Sequence, residues 1–253
     1  MTLPFSIEPA SSAVRDLLAP GGVLRAGINM SNFLLVSSRT ADGGPAGVSP
    51  DMAAAIAGHL GVSLRLLPFE SPGLIADAAG RDEWDIALIG AEPQRAEVID
   101  FTPPYAQIEA TYLVQPGSKL HDVADVDAPG MRIAVTGRTA YGLWMDRNIH
   151  HATLVRSTTM DAALSDFTTG NLDALAGLRP RLIDDQLKVP GSTLLEGRFM
   201  AVQQAMGTPK AKGAALAYLV SFVEAAKSSG FVAELMARHG VQGLSVAPPA
   251  ESA

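Results

Sequence analysis

Hydrophobic positions along the chain fall into a repeated strand, turn and helix rhythm. "VLRAGIN" (23–29) is a short apolar run that ends in polar residues, as a parallel strand does when its carboxyl end opens onto a site. The turn-rich "RTADGGPAG" (39–47) predicts a hairpin or loop. "SPDMAAAIAGHLG" (49–61) predicts a helix with Ser49 as cap, Pro50 in its first turn and Gly61 closing it. "VSLRLLPF" alternates as a strand does, "PGLIADAAGRDEW" predicts a further helix, and "DIALIG" is the next buried strand. The segment "GAEPQR" then predicts a tight turn with Arg95 in the first turn of a short helix, where acids rather than guanidinium groups are favoured.

The rhythm changes at "ATYLV" (110–114), a strand followed by a Pro, Gly and Ser loop instead of a helix. It restarts with "GMRIAVTG", "RTAYGLWMDRNI", "ATLVR", "TMDAALSDFTTG", "LDALAG" and "PRLIDDQL", read as strand and helix in turn. "RFMAVQQAMG" (198–207) is extended, "PKAKGAALAYLVSFVEAAKSSG" (209–230) predicts one long amphipathic helix, and "FVAELMARHG" a shorter one. The tail "VQGLSVAPPAESA" reads as partly disordered. Two α/β blocks bridged by extended segments predict two lobes around a cleft. Its candidate ligand turns lie beyond the strand ends at 29–33, 70–73, 90–95, 137–141 and 177–180.

Composition narrows the chemistry. The 253 residues carry a formal net charge of −7, which argues against a nucleic-acid surface or a polybasic membrane patch. The chain has no cysteine, which removes disulfides, thiolate metal sites and cysteine nucleophiles. The five histidines show no helical pairing with an acid, and neither a phosphate-binding loop nor a nucleophile elbow is present, so no metal, cofactor or nucleotide is expected. No apolar run reaches a membrane-spanning length, and the first residues show no basic segment followed by an apolar core. A periplasmic location is expected if a leader has been removed, and a cytoplasmic one otherwise.

The ordered pieces "LRAGIN", "GVSPDMAAAIAGHLGV", "WDIALIG", "RAEVIDFTPPY", "GMRIAVTGRTAYG", "GNLDALAG" and "FVEAAKSSGFVAELMARHG" resemble the family-3 extracellular solute-binding proteins of amino-acid importers, within the type II periplasmic-binding-protein superfamily. The resemblance implies a monomeric α/β fold with lobe one at 1–107 plus 199–253, lobe two at 110–195, and hinge strands near 106–111 and 194–200. It implies that Arg95 clamps a ligand carboxylate beside Gly90, that Thr139 meets the same group, and that Tyr105 belongs to the element before the hinge. Asn29, Phe33, Glu70, Glu92, Arg138, Tyr141, Leu178 and Arg179 complete the expected binding set.

The chain departs from the family pattern at three places. "GAEPQR" has no hydroxyl before Arg95, Asn29 replaces a frequent aspartate, and Leu178 stands where an acid for the ligand's ammonium group is expected. The expected ligand is therefore a carboxylate-bearing organic anion or an amino-acid relative, captured by hinge closure and handed to the permease of an ATP-binding-cassette importer. Two alternatives stand beside this reading: an enzyme on the same scaffold, similar to cyclohexadienyl dehydratase with Glu70 or Glu92 as its acid, and a soluble sensory module.

Overall fold

The computed structural model describes residues 4–250. The chain forms two compact units. One comprises the chain up to Gln107 and again from Gln203 onward; the other is Ile108–Val202.

The first unit begins with α1 (Ser12–Leu18), whose cap Ser11 accepts from the Val14 N–H, followed by β1 (Val23–Asn29). The predicted turn at 39–47 is a two-stranded hairpin, β2 (Ser38–Arg39) with β3 (Pro45–Ala46). Helix α2 (Val48–Leu60) starts earlier than the sequence suggested. Gly47 is its cap, with φ 147°, and a Cβ there would lie 2.5 Å from the Leu35 carbonyl oxygen. Ser49 is consequently inside the helix and buried, not the cap. Gly61 closes α2 in the left-handed conformation that glycine adopts at little cost.

β4 (Ser63–Phe69), α3 (Pro72–Ala78), β5 (Ile86–Gly90) and α4 (Pro93–Ala96) follow, with β1 parallel to both β4 and β5. The helix expected over "PGLIADAAGRDEW" is only seven residues long and passes into a 3₁₀ turn at Ala79–Arg81. The strand expected at 110–114 is the end of a much longer one, β6 (Ile99–Val114), which accommodates Pro103 and Pro104.

The second unit takes β6 from Ile108 onward and adds β7 (Arg132–Thr136), α5 (Ala140–Asn148), β8 (Thr153–Ser157), α6 (Met160–Thr169), β9 (Ala174–Leu178), α7 (Arg179–Lys188) and β10 (Thr193–Leu194). β7 is parallel to β8 and β9, and the end of β6 is antiparallel to β9 and β10. Leu113, Ala134, Phe167, Leu175 and Leu182 form its core.

The chain returns to the first unit along β11 (Met200–Pro209), antiparallel to β5. The helix expected over 209–230 is split into a 3₁₀ stretch at Lys210–Ala215 and α8 (Leu216–Ser228). In that stretch Lys212 reaches back to Asp85, and Gly213 lies against the Asp100 carboxylate, which would have to move to admit a Cβ. α9 (Phe231–Arg238) and β12 (Leu244–Val246) complete the unit.

The described part of the tail packs against the first unit. β12 pairs with β6, the Ala247 N–H donates to the Tyr105 carbonyl at 3.1 Å, and Lys227 Nζ donates to the Pro248 carbonyl at 2.9 Å. Its last three residues, 251–253, lie outside the described residues. The main core joins Leu24, Ile28, Met52, Leu88, Phe222 and Phe231, and a second layer under α3 holds Ile75, Trp84 and Ile89. Burial of these side chains stabilises each by about 1.5–3 kcal/mol relative to exposure.

Candidate functional site

The turn after β5 is held from three sides. All of Ile86–Gly90 is buried, the Ala91 N–H donates to the Gln203 carbonyl at 2.7 Å, and Gly90 lies opposite Gln204 in the ladder with β11. Pro93 then fixes the backbone for a helix of a single turn. Arg95 therefore belongs to the last turn of α4 as much as to the first, which answers the electrostatic objection raised by the sequence. Its Nη1 donates to the Gly90 carbonyl at 2.6 Å. Arg95 and Glu92 are only 3% and 4% exposed. A guanidinium carries five N–H donors, and taking it out of water is costly without polar or anionic partners.

The β1 end is organised by two asparagines. Asn29 Oδ1 accepts from the Ser31 N–H and hydroxyl, and Asn32 Oδ1 accepts from the Leu34 and Leu35 N–H groups. Asn29 is buried and Phe33 half-buried. Met30 N–H donates to the Phe69 carbonyl, tying this turn to the β4 end, where Glu70 is exposed. Tyr105 lies in the main core, fully buried, and its hydroxyl is 3.0 Å from that of Ser49. Burial pushes its phenol well above the usual range.

In the second unit Thr139 caps α5. Its Oγ1 accepts from the Gly142 N–H at 3.0 Å and donates to the Thr136 carbonyl at 2.8 Å. Arg138, beside it, is exposed with φ 59°, an uncommon conformation for a residue with a Cβ. The sequence put the Tyr141 ring against a ligand. The structure packs it, 3% exposed, into the wall of a small pocket inside this unit, with Thr136, Met160, Arg181 and Leu182. That pocket, of about 10 Å³, has room for one water at most. Burial raises the Tyr141 pKa, opposed by hydrogen bonding with Thr136 and Thr139.

Leu178 is buried at the end of β9. Arg179 is engaged locally: Nε donates to Glu109 Oε2 at 2.9 Å and Nη2 to the Gly197 carbonyl, while Arg198 takes the other Glu109 oxygen at 3.1 Å. Its charge is largely answered within the unit.

Sequence reasoning missed the partnership of Ser49 with Tyr105, the bracing role of Asn32, and Gln204 beside Gly90. The one visible signal was a Gln-Gln pair inside an otherwise apolar strand. Among the described residues, no group of three or more His, Cys, Asp or Glu side chains is placed to hold a metal ion, and no helix is long and apolar enough to cross a membrane.

A model of the bacterial extracellular solute-binding proteins, family 3, matches residues 24–242. Cyclohexadienyl dehydratase of Pseudomonas aeruginosa is 32% identical over 124 residues, covering 47% of this chain and 46% of that protein. The chain thus aligns with about half the length of this curated relative. Among solved structures, an amino acid ABC transporter substrate-binding protein from Streptococcus pneumoniae bound to L-arginine superposes with a TM-score of 0.71 at 22% identity, covering 94% of this chain and 100% of that one. An ancestral amino acid-binding protein, a precursor of cyclohexadienyl dehydratase, gives 0.69 at 21% identity, covering 90% and 99%. Both neighbours have the two-lobed type II fold, which this chain shares.

Proposed function

Because this chain belongs to the bacterial extracellular solute-binding proteins, family 3, we propose that it captures a small carboxylate-bearing solute for an ATP-binding-cassette importer, outside the cytoplasmic membrane. The observation that carries the reading is Arg95, a buried guanidinium anchored on the Gly90 carbonyl at the carboxyl end of β5. A carboxylate is the natural partner of such a group, through charge-assisted and often bidentate hydrogen bonds. Asn29 and Phe33 on the neighbouring turn of the first unit complete the receiving side.

Leu178 is apolar where an acid would hold an ammonium group. This favours an organic acid, or an amino-acid relative whose nitrogen is held some other way. Capture by hinge closure belongs to the same proposal, and solution scattering would record it as a smaller radius of gyration on saturation. The primary experiment is a thermal-shift panel of carboxylates and amino acids. A true ligand at a hundred times its Kd adds about 2.7 kcal/mol of stability, and a panel in which no carboxylate shifts the transition would refute the reading.

The partial identity with cyclohexadienyl dehydratase favours one alternative, an enzyme on the same scaffold. Glu92 is the buried carboxyl group beside Arg95, whereas Glu70 is exposed. An assay for cyclohexadienyl dehydratase activity decides it: turnover that is abolished by Glu92→Gln would replace transport with catalysis.

A further inference from the structure

Three observations meet at one position that the expected binding set does not contain. Gln204 lies directly across the ladder from Gly90, whose carbonyl receives Arg95. Gln204 is 3% exposed. Its Oε1 is buried and accepts no hydrogen bond from any described residue. The neighbouring Gln203 behaves differently, since its Oε1 accepts from Gln107 Nε2 at 2.9 Å. The register explains the contrast. Successive strand residues face opposite sides, so Gln204 shares the face of Met206, which is packed in the main core opposite Leu88. A polar side chain on that face, at the carboxyl end of β5, is in an environment that otherwise selects apolar residues. A buried acceptor left unsatisfied is destabilising.

We infer that Gln204 is a specificity-determining residue of the Arg95 site, its amide oxygen accepting an N–H group that the ligand carries close to its carboxylate. This inference rests on the carboxylate reading of Arg95. The ligand class is then a carboxylic acid with an amine or amide nitrogen near the carboxyl carbon. Gln204 supplies, as a neutral acceptor, what the chain lacks as an acid at Leu178. A ligand without the nitrogen leaves the buried oxygen unsatisfied, a difference worth about tenfold in affinity.

The test compares wild type, Gln204→Leu and Arg95→Ala in two measurements. In the first, ligand-free Gln204→Leu melts at or above the wild-type temperature, because a buried unsatisfied acceptor has been removed. A lower melting temperature shows that the amide is already satisfied within the folded protein, and overturns the inference. In the second, calorimetry compares L-glutamine with glutaramate, and L-phenylalanine with phenylpropionate. Wild type prefers the member of each pair that carries the α-amino group, where that pair binds, by about tenfold, and Gln204→Leu loses that preference. Equal affinities in wild type, or a preference that survives Gln204→Leu, also overturn it. If Arg95→Ala abolishes binding while Gln204→Leu changes nothing, this inference fails and the carboxylate site stands. If Arg95→Ala binds normally, it is the carboxylate reading that fails.

Discussion

The hydroxyls of Ser49 and Tyr105, fifty-six residues apart, lie 3.0 Å from each other in the main core of the first unit. The bond ties the first turn of α2 to β6, and it uses two residues to which the sequence suggested other work. Tyr105→Phe strands the Ser49 hydroxyl in an apolar setting and is expected to cost about 1–2 kcal/mol in urea unfolding. Ligand affinity in the same variant should stay within about twofold of wild type, and a larger loss would show that the Tyr105 hydroxyl also serves the ligand site.

All four tyrosines, Tyr105, Tyr112, Tyr141 and Tyr218, have phenols shifted upward by burial, Tyr218 to about 12. Below pH about 10 these groups are neutral in the folded and unfolded chain alike. Above it the unfolded chain releases protons that the folded chain retains, so stability falls as pH rises. Denaturant titrations between neutral and strongly alkaline pH should show this loss, and Tyr112→Phe should flatten it.

Asp85 is completely buried and receives the Arg25 N–H, the Arg25 guanidinium and Lys212 Nζ. The cluster fastens the start of β5 to β1 and to the stretch before α8. Removing the carboxylate leaves its cations without their buried partner, and Asp85→Ala is expected to cost about 3–5 kcal/mol. Arg25 and Lys212 also hold the Asp82 carboxyl below its usual pKa. That contribution is present above the ordinary carboxylate range and is lost as pH falls through the lowered value. Acid titration of wild type against Asp82→Asn measures it.

Gly207 on β11 is a packing constraint. A Cβ there would approach Ile99 Cγ2 to 2.5 Å and the Phe101 ring to 3.0 Å. Gly207→Ala should therefore destabilise the first unit by about 1–3 kcal/mol, seen as a lower urea midpoint.

The alternation of strands and helices was legible because apolar runs and Gly or Pro punctuation are local. β1, β5, β7 and β9 carry that signal directly. What escaped depended on distant partners. Ser49 reads as a cap until Gly47, pressed against the Leu35 carbonyl, takes that place. The 209–230 segment reads as one helix until Lys212 is drawn to Asp85. The tail reads as loose until Lys227, a lysine on a buried face, meets the Pro248 carbonyl. Within the expected binding set, the direction of a side chain was not legible. Tyr141 and Arg179 both turn to partners inside their own unit.

The central claim is that Arg95 holds a ligand carboxylate. Isothermal titration of the carboxylate that most stabilises wild type, into wild type and Arg95→Ala side by side, tests it directly. The account predicts at least a hundredfold weaker binding, roughly 3 kcal/mol, in a variant whose folded circular dichroism spectrum is unchanged. Affinity within about threefold of wild type would contradict it and leave Arg95 as a brace for the Gly90 turn.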